Sequence, residues 1–300
     1  MTKRLFTIFL AVVMIVAAIS LTACGDNSDS GPDNLPPVND GGNSTGKTTL
    51  SAPDGSTVEM PASVTKIVTV SPSAKSIIDA LGKSSVIVGS YGVDEDATSK
   101  IVSAAPEVVL YDEGAKIDVA AIEAANIIAV KIPNPTSMTA VNSHITFIGR
   151  VIGASTDSMT TSITNDMNAL RTMSQSTPKL NVYFEIGSGD DGYYTVAPYS
   201  YIYEVLSAAG GVNIFGESSG KEGFVTVSAD EIIAANPDVI FTLGSASDIT
   251  SRDGWSEINA VVNGHVYTID KMNGSSDAVA AGQSMSDTLR KAAESLGADE

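Results

Sequence analysis

The sequence predicts an α/β protein made of two similar Rossmann-like α/β lobes that are joined by a long interlobe α-helix. Apolar runs of strand length alternate with helical patterns along most of the chain, and this alternation is typical of parallel sheets covered by helices on both faces. The same order of motifs occurs before and after a long helical stretch, which indicates two lobes of similar fold. With 300 residues, the chain is long enough for two medium-sized domains.

Three short motifs of the first half recur in the same order in the second half. A single matching pair would mean little, whereas three pairs in register indicate two related lobes. The cleft between such lobes is then the expected ligand site. The matching pairs are residues 77–82 with 205–210, 86–89 with 212–216, and 104–110 with 235–241.

Residues 136–177 are the predicted connector between the lobes. This stretch lies between two prolines, contains none itself, and carries apolar residues at helical spacing. Gly153 and the polar residues after it suggest the end of one helix and the capped start of another. We therefore expect a helix over 137–152 that packs on the first lobe and a helix over 156–174 that crosses between the lobes.

The predicted first lobe spans residues 48–135 and the second spans 178–300. The first is expected to begin with a β-hairpin whose turn is Asp-Gly, because this dipeptide favours tight hairpin turns. In the first lobe we predict a hairpin over 48–60, strands 66–70, 86–89, 108–111 and 127–132, and helices 74–81, 98–105 and 118–125. In the second we predict strands 180–186, 238–243 and 264–269, helices 202–209, 229–235 and 284–296, and a loop over 189–194.

The N-terminal residues resemble a bacterial lipoprotein signal peptide. A basic start is followed by an apolar run and by Leu-Thr-Ala-Cys, which ends at Cys24 like a lipobox. This predicts removal of residues 1–23, lipid attachment to Cys24, and a membrane-anchored protein facing outside the cytoplasm. An uncleaved membrane anchor is the alternative. Residues 24–47 are rich in Gly, Ser, Asn, Asp and Pro and are predicted to be a flexible tether.

The composition excludes several classes of function. The net charge is −18, and nucleic acid is therefore not an expected partner, because phosphate binding requires clustered Lys and Arg. The single cysteine excludes cysteine-clustered metal sites, and the two histidines, His144 and His265, leave little material for a nitrogen-rich metal site. We find no Ser–His–Asp set and no phosphate loop. The sequence predicts a monomer that is not an enzyme and carries no cofactor of its own.

A series of short motifs runs through the chain. It consists of the hairpin, residues 66–73, 80–82, 101–110, 210–215, 227–233 and 236–240, and Trp255. The order of these motifs, from residue 48 to about residue 297, resembles that of the substrate-binding proteins of ABC importers for cobalamin, haem and iron–siderophores. The resemblance implies two α/β lobes joined by one long helix, a metal-chelate ligand in the cleft, and an ABC transporter permease and ATPase as partners. The family pattern also implies that Trp255 lies in the core.

In that family, one carboxylate on each lobe meets arginines of the permease. In the second lobe the resemblance maps this role to Asp230, with Glu231 beside it, although both would also suit a helix N-terminus. In the first lobe Ser99 stands where the glutamate is expected. The nearby Asp94, Glu95 and Asp96 are the candidate substitutes, of which Glu95 is the predicted docking residue. Because Ser99 departs from the family pattern, an orphan surface binder without a permease is an alternative function for this chain.

Ligands of open α/β sheets lie beyond the carboxyl ends of the strands. This rule predicts a site in both lobes, where exposed aromatic residues would suit a large, flat, partly apolar ligand. Local packing is the alternative role for each tyrosine. The predicted ligand-binding residues are Ser71, Pro72, Ser73, Tyr91, Gly92, Tyr111 and Asp112 in the first lobe and Gly187, Tyr193, Tyr194, Phe224, Gly244 and Arg252 in the second.

The scarcity of cations bears on the choice of ligand. Only Arg252, helped by Lys221 or Lys271, is placed to bind an anionic siderophore. Haem would need an axial tyrosine or histidine, whereas a corrinoid needs mainly shape and aromatic contact. We therefore expect a cobalamin-like corrinoid ahead of a ferric siderophore or haem. A metallocofactor-handling enzyme on the same scaffold is the alternative from a different class.

Overall fold

The structure is a computed structural model that describes residues 46–218, 223–274 and 276–297. The predicted signal peptide, Cys24, almost all of the predicted tether and Lys221 lie outside these ranges. Within them, no helix has the length and apolar character needed to cross a membrane.

A hairpin and a four-stranded parallel sheet form the first half, as predicted. The sheet has the order β4-β3-β5-β6, and its two central strands are the most apolar because helices cover both faces. The strands are β1 (Lys47–Ser51), β2 (Thr57–Pro61), β3 (Ile67–Val70), β4 (Ile87–Ser90), β5 (Val108–Asp112) and β6 (Ile128–Ile132). The helices are α1 (Pro72–Ala80), α2 (Thr98–Ala104) and α3 (Val119–Ala124).

Two helices follow β6, and both confirm the predicted break at Gly153. In α4 (Met138–Ile152), the Ser137 hydroxyl accepts a hydrogen bond from the backbone N–H of Ala140 at 3.1 Å. Gly153 ends this helix in the left-handed conformation, at φ 63°, which glycine adopts without a steric penalty. The second helix is α5 (Asp157–Met173).

The second half contains a six-stranded mixed sheet. Its main path is β10-β8-β7-β11-β12, and β9 also pairs with β7. Strand β8 runs antiparallel to both β7 and β10, unlike any pairing in the first sheet. The strands are β7 (Leu180–Gly189), β8 (Gly192–Val196), β9 (Gly211–Asn213), β10 (Phe224–Val227), β11 (Val239–Thr242) and β12 (Val266–Thr268). The helices are α6 (Tyr201–Ala208), α7 (Ala229–Ala235), α8 (Ala246–Thr250), α9 (Asn259–Val262) and α10 (Ser276–Ser295).

The predicted loop over 189–194 is wrong. Strand β7 continues to Gly189, which pairs with Gly192 at the start of β8, so that only Asp190 and Asp191 form the turn. Gly192 has a φ of 133°, which favours glycine. The Gly and Asp residues suggested a loop, whereas a two-residue hairpin turn needs the same residue types.

The predicted start of the last helix, at residue 284, is also wrong. Helix α10 begins eight residues earlier, at Ser276, and contains Gly282. A Cβ atom at Gly282 would lie 2.7 Å from the side chains of both Leu170 and Val205. Glycine therefore lets α10 pack closely against α5 and α6.

One hydrophobic core joins the two halves. It contains the fully buried side chains Ile77 of α1, Ile148 of α4, Leu170 of α5, Val205 of α6 and Met285 of α10. Helix α4 packs on α1, as expected for a helix that packs on the first lobe, and it also packs on α6 of the second half. Because these helices share their apolar faces, the described residues hold together as one compact unit.

Candidate functional site

Strand ends of the first sheet meet loops of the second half at one place, which we call the interlobe junction. A Cβ atom added to Gly274 would lie 3.7 Å from Pro135 and 4.0 Å from Ser73, so that the chain after β12 passes directly over the start of α1 and the entry to α4. The junction comprises Ser71, Ser73, Asp112, Pro135, Tyr201, Met272 and Gly274.

The start of α1 forms one wall of the junction. Ser71 directly follows β3, and its hydroxyl accepts a hydrogen bond from the backbone N–H of Ala74 at 3.1 Å. Pro72 occupies the first helical turn, where its missing N–H costs nothing. The hydroxyl of Ser73 lies 3.1 Å from that of Ser71. The predicted residues Ser71, Pro72 and Ser73 thus form a capped helix start at the strand end.

Asp112 is the last residue of β5 and is partly buried. Strand residues alternate between faces, so it lies on the same face as Leu110, which belongs to the shared core. Burial raises the pKa of the Asp112 carboxyl to about 6, against the opposing effect of a hydrogen bond from the Ser71 hydroxyl. No ion pair forms between Asp112 and any residue that the structure describes. The junction therefore contains a poorly solvated carboxylate without a counter-charge.

Tyr201 is the residue that α6 contributes to the junction. Its backbone N–H donates to the Pro135 carbonyl at 3.4 Å, and its hydroxyl donates to the Met272 carbonyl. Burial raises the pKa of the Tyr201 phenol, and the charge of Asp112 acts in the same direction. Tyr201 is not among the predicted site residues, because its position fits the helical pattern of α6. The signal that could have found it is Ser200, whose side chain caps that helix.

Arg252 lies in a buried cluster with Glu185 and three aromatic residues. Its guanidinium donates two hydrogen bonds to the Glu185 carboxylate, at 2.6 and 2.7 Å, and the Tyr183 hydroxyl donates a third at 3.1 Å. The guanidinium carbon also lies 4.4 Å from the ring centre of Tyr193 and 4.6 Å from that of Trp255. The side chains of Arg252 and Glu185 are only 17% and 5% exposed. Arg252 is thus neutralised within the protein, and Trp255 is a core residue, as expected.

The other predicted aromatic residues pack locally. Tyr91, which precedes Gly92, and Tyr111 pack against the apolar cluster beneath α2 and α3. The Tyr194 hydroxyl donates to Asp191 at 2.6 Å, and its ring lies above Gly187.

Two further predicted residues lie at strand ends of the second sheet. Phe224 begins β10 and is 37% exposed. The backbone N–H of Gly244, just after β11, donates to the Thr242 hydroxyl at 2.9 Å.

Both histidines are buried within the protein. Nδ1 of His265 lies 3.3 Å from the Asp238 carbonyl, and Nε2 lies 2.9 Å from the Ser295 hydroxyl. His144 is buried in α4, and this burial lowers its pKa to about 4. Across the described residues, no group of three His, Cys, Asp or Glu side chains could hold a metal ion.

The predicted docking carboxylates differ in the hydrogen bonds and ion pairs that their side chains form. Both the backbone N–H and the hydroxyl of Ser228 donate to the Glu231 carboxylate at 2.8 Å, in a capping box at the start of α7. Asp230 is exposed and makes no hydrogen bond or ion pair through its side chain with the described parts of the chain. Glu95 pairs with Lys100, and its pKa is lowered by the hydrogen bond from that ammonium. Of the three predicted docking residues, Asp230 is consequently the one whose carboxylate has no partner in the described parts of the chain, whereas the charge of Glu95 is partly neutralised.

Two α/β halves, with strand ends that meet at a polar junction, give the chain a bilobal α/β architecture. Residues 64–272 match the family described as periplasmic binding protein, and the chain belongs to that family. This family consists of binding proteins, which confirms the prediction that the chain is not an enzyme and contradicts the enzyme alternative.

Individual relatives agree with this assignment. The chain is 26% identical over 284 residues to an uncharacterized ABC transporter substrate-binding lipoprotein, YvrC, of Bacillus subtilis, with 86% of this chain and 88% of that protein covered. It is 25% identical over 206 residues to a cobalamin-binding protein of Halobacterium salinarum, with 60% of this chain and 54% of that one covered. The apo structure of the periplasmic heme-binding protein RhuT of Roseiflexus superposes with a TM-score of 0.64 at 20% identity, covering 77% of this chain and 99% of RhuT. The predicted fold class and family resemblance are confirmed.

Proposed function

We propose that this protein is a membrane-tethered substrate-binding lipoprotein that captures a cobalamin-like corrinoid at the interlobe junction and delivers it to the permease of an ABC transporter. The names of the two curated relatives support the transporter role and the ligand class. The lipobox-like sequence that ends at Cys24 supports the anchor.

The observation that carries the ligand assignment is the pairing of Arg252 with Glu185. Haem and most ferric siderophores bring carboxylate or catecholate groups, and binding sites for them need free cations. The arginine expected to serve this purpose has two hydrogen bonds to a carboxylate that is itself almost fully buried. Asp112 adds an unpaired negative charge at the junction. A ligand without net negative charge, such as a corrinoid with peripheral amides, fits this balance better than an anionic chelate.

The ligand assignment is tested with the full chain, purified in detergent, by titration with cyanocobalamin, haemin and a ferric tris-catecholate. We expect a stoichiometric complex with cyanocobalamin and weaker binding of the two anionic chelates. Tight binding of haemin or the catecholate in preference to cyanocobalamin would refute the assignment.

The lipid anchor is tested separately by incorporation of a labelled fatty acid into the expressed protein. We expect label in the wild-type chain and none in Cys24→Ala. Equal labelling of the two proteins would refute attachment at Cys24.

A second candidate is an orphan surface binder without a permease. It is favoured by the first half, where Lys100 pairs with Glu95 and Lys116 pairs with Asp94 at 3.1 Å. Two of the three acidic side chains near the expected docking position, Asp94 and Glu95, are thus offset by lysines. Uptake measurements on docking variants, described below, separate this candidate from the transporter role.

A further inference from the structure

We propose that Asp112 determines ligand specificity at the interlobe junction: its carboxylate accepts a hydrogen bond from an amide N–H of the ligand and repels ligands that present an anionic group there. This inference rests on the proposed function, because it takes the ligand class from it and assigns the recognition to one residue.

The position of Asp112 is the first support. It ends a central strand of the first sheet, at the edge where α/β proteins bind their ligands. It lies on the face of the sheet that looks toward the shared core, and its charge is felt by Tyr201 of the other half. A group bound between the two halves above this strand end would therefore meet the carboxylate.

The second support is the shortage of donors around the carboxylate. An ionised carboxylate can accept about four hydrogen bonds, and the Ser71 hydroxyl supplies one. The neighbouring hydroxyl of Tyr201 is committed, because it donates to the Met272 carbonyl. Asp112 thus keeps acceptor capacity for a ligand.

The third support is the absence of a compensating cation. Among the described residues around the junction, Lys75 of α1 pairs with Asp79 and Lys131 of β6 pairs with Glu113. Lys271, just before Met272, lines a groove beside the start of α1 that also contains the Asp79 and Asp277 side chains. In the described part of the chain no lysine or arginine forms an ion pair with Asp112, and none shifts the pKa of its carboxyl.

These features favour amide donors over anions for a simple reason. A hydrogen bond from an amide to a charged, poorly solvated acceptor is stronger than one between neutral groups. A carboxylate in the same place would bring two negative charges together in a region of low polarity. Discrimination then comes from repulsion of the wrong ligand as well as from attraction of the right one.

The test uses ligands that differ by one group. Cyanocobalamin and its monocarboxylate derivatives, in each of which one peripheral amide is hydrolysed to an acid, are titrated against the full chain at pH 7.5. We expect the wild-type protein to bind the amide form about tenfold or more tightly than at least one acid isomer, as for loss of a hydrogen bond to a charged group. In Asp112→Asn this ratio should fall to about twofold or less, because an amide side chain can pair with either ligand group.

Glu113→Gln is the matched control. It removes the same charge from the adjacent, exposed position and should leave the ratio as in the wild type. Equal binding of the amide and of every acid isomer by the wild type, or an unchanged ratio in Asp112→Asn, would overturn the role of Asp112 while leaving the proposed function intact. Failure of the wild type to bind cyanocobalamin would overturn both. Urea unfolding of each variant verifies that the protein is folded when binding is measured.

Discussion

Replacement of Asp112 by asparagine is expected to stabilise the protein, and the gain should grow with pH. Burial moves the pKa of this carboxyl from 3.8 to about 6 in the folded state. The folded protein therefore holds the proton more tightly than the unfolded chain, and the ionised form penalises folding. The penalty is absent below the unfolded pKa, develops as the pH rises from about 4 to 6, and is complete above about 6.

The magnitude follows from the shift in pKa. A shift of about two units at about 1.4 kcal/mol per unit gives about 3 kcal/mol at pH 8. At pH 5 only about half of this, roughly 1.5 kcal/mol, is present, because the folded carboxyl is still mostly protonated. The Asp112→Asn substitution would remove the penalty at every pH, so the difference in stability between variant and wild type should follow this curve.

Urea unfolding at pH 5, 6, 7 and 8 measures the free energy of unfolding of both proteins. Urea carries no charge and leaves the electrostatic contribution unscreened. Glu113→Gln serves as the control for loss of one negative charge from this acidic chain. A gain of equal size at pH 5 and pH 8, or no gain at pH 8, would refute the assignment of a buried, destabilising charge to Asp112.

Three further perturbations test other parts of the molecule. Glu185→Gln is expected to lower the free energy of unfolding by about 3 kcal/mol, because it leaves Arg252 buried without a carboxylate. The same substitution should raise the affinity for haemin. Urea unfolding measures the stability and haemin titration measures the affinity, and an unchanged free energy of unfolding would contradict the expected destabilisation. Asp230→Ala should abolish cellular uptake of labelled cobalamin and leave the ligand affinity unchanged; normal uptake would favour the orphan binder. Glu231→Ala should lower the midpoint of thermal unfolding, because it disrupts the capping box. The radius of gyration from solution scattering should change little when ligand binds, because one core joins the two halves, and a wide ligand-dependent compaction would overturn this view.

Local sequence signals predicted the central helices well. Ser137 and Gly153 are adjacent in sequence to the helix ends that they cap, and the structure places α4 between them. The alternation of apolar strands and helices likewise predicted the first sheet, because a strand buried on both faces has a continuous apolar pattern. Such features depend on neighbours in the chain and can be inferred without knowledge of the fold.

The hydrogen-bond and ion-pair partners of the side chains could not be predicted in the same way. Arg252 was expected to face a ligand, yet its partner is Glu185, which lies 67 residues away in the sequence. Tyr201 reaches Met272 across 71 residues. Whether a charged or polar group is free depends on which distant residue the fold brings beside it, and composition alone gives only the number of available cations. The hairpin at Gly189 was missed for a related reason, since turn residues are the same in loops and in tight hairpins.

The shared core explains why fixed charges can select a ligand in this protein. If the halves were joined only by flexible segments, a ligand with an anionic group could be accommodated by a shift of one half that moves the group away from Asp112. Here α4 packs on α1 and α6, α5 and α10 pack on α6 and on each other, and all of them contribute to one core, so that such a shift would expose part of that core. The spacing at the junction is thus set by packing that is independent of the ligand. The charge of Asp112 is therefore held in a fixed position, and the proposed discrimination between neutral and anionic ligands requires this.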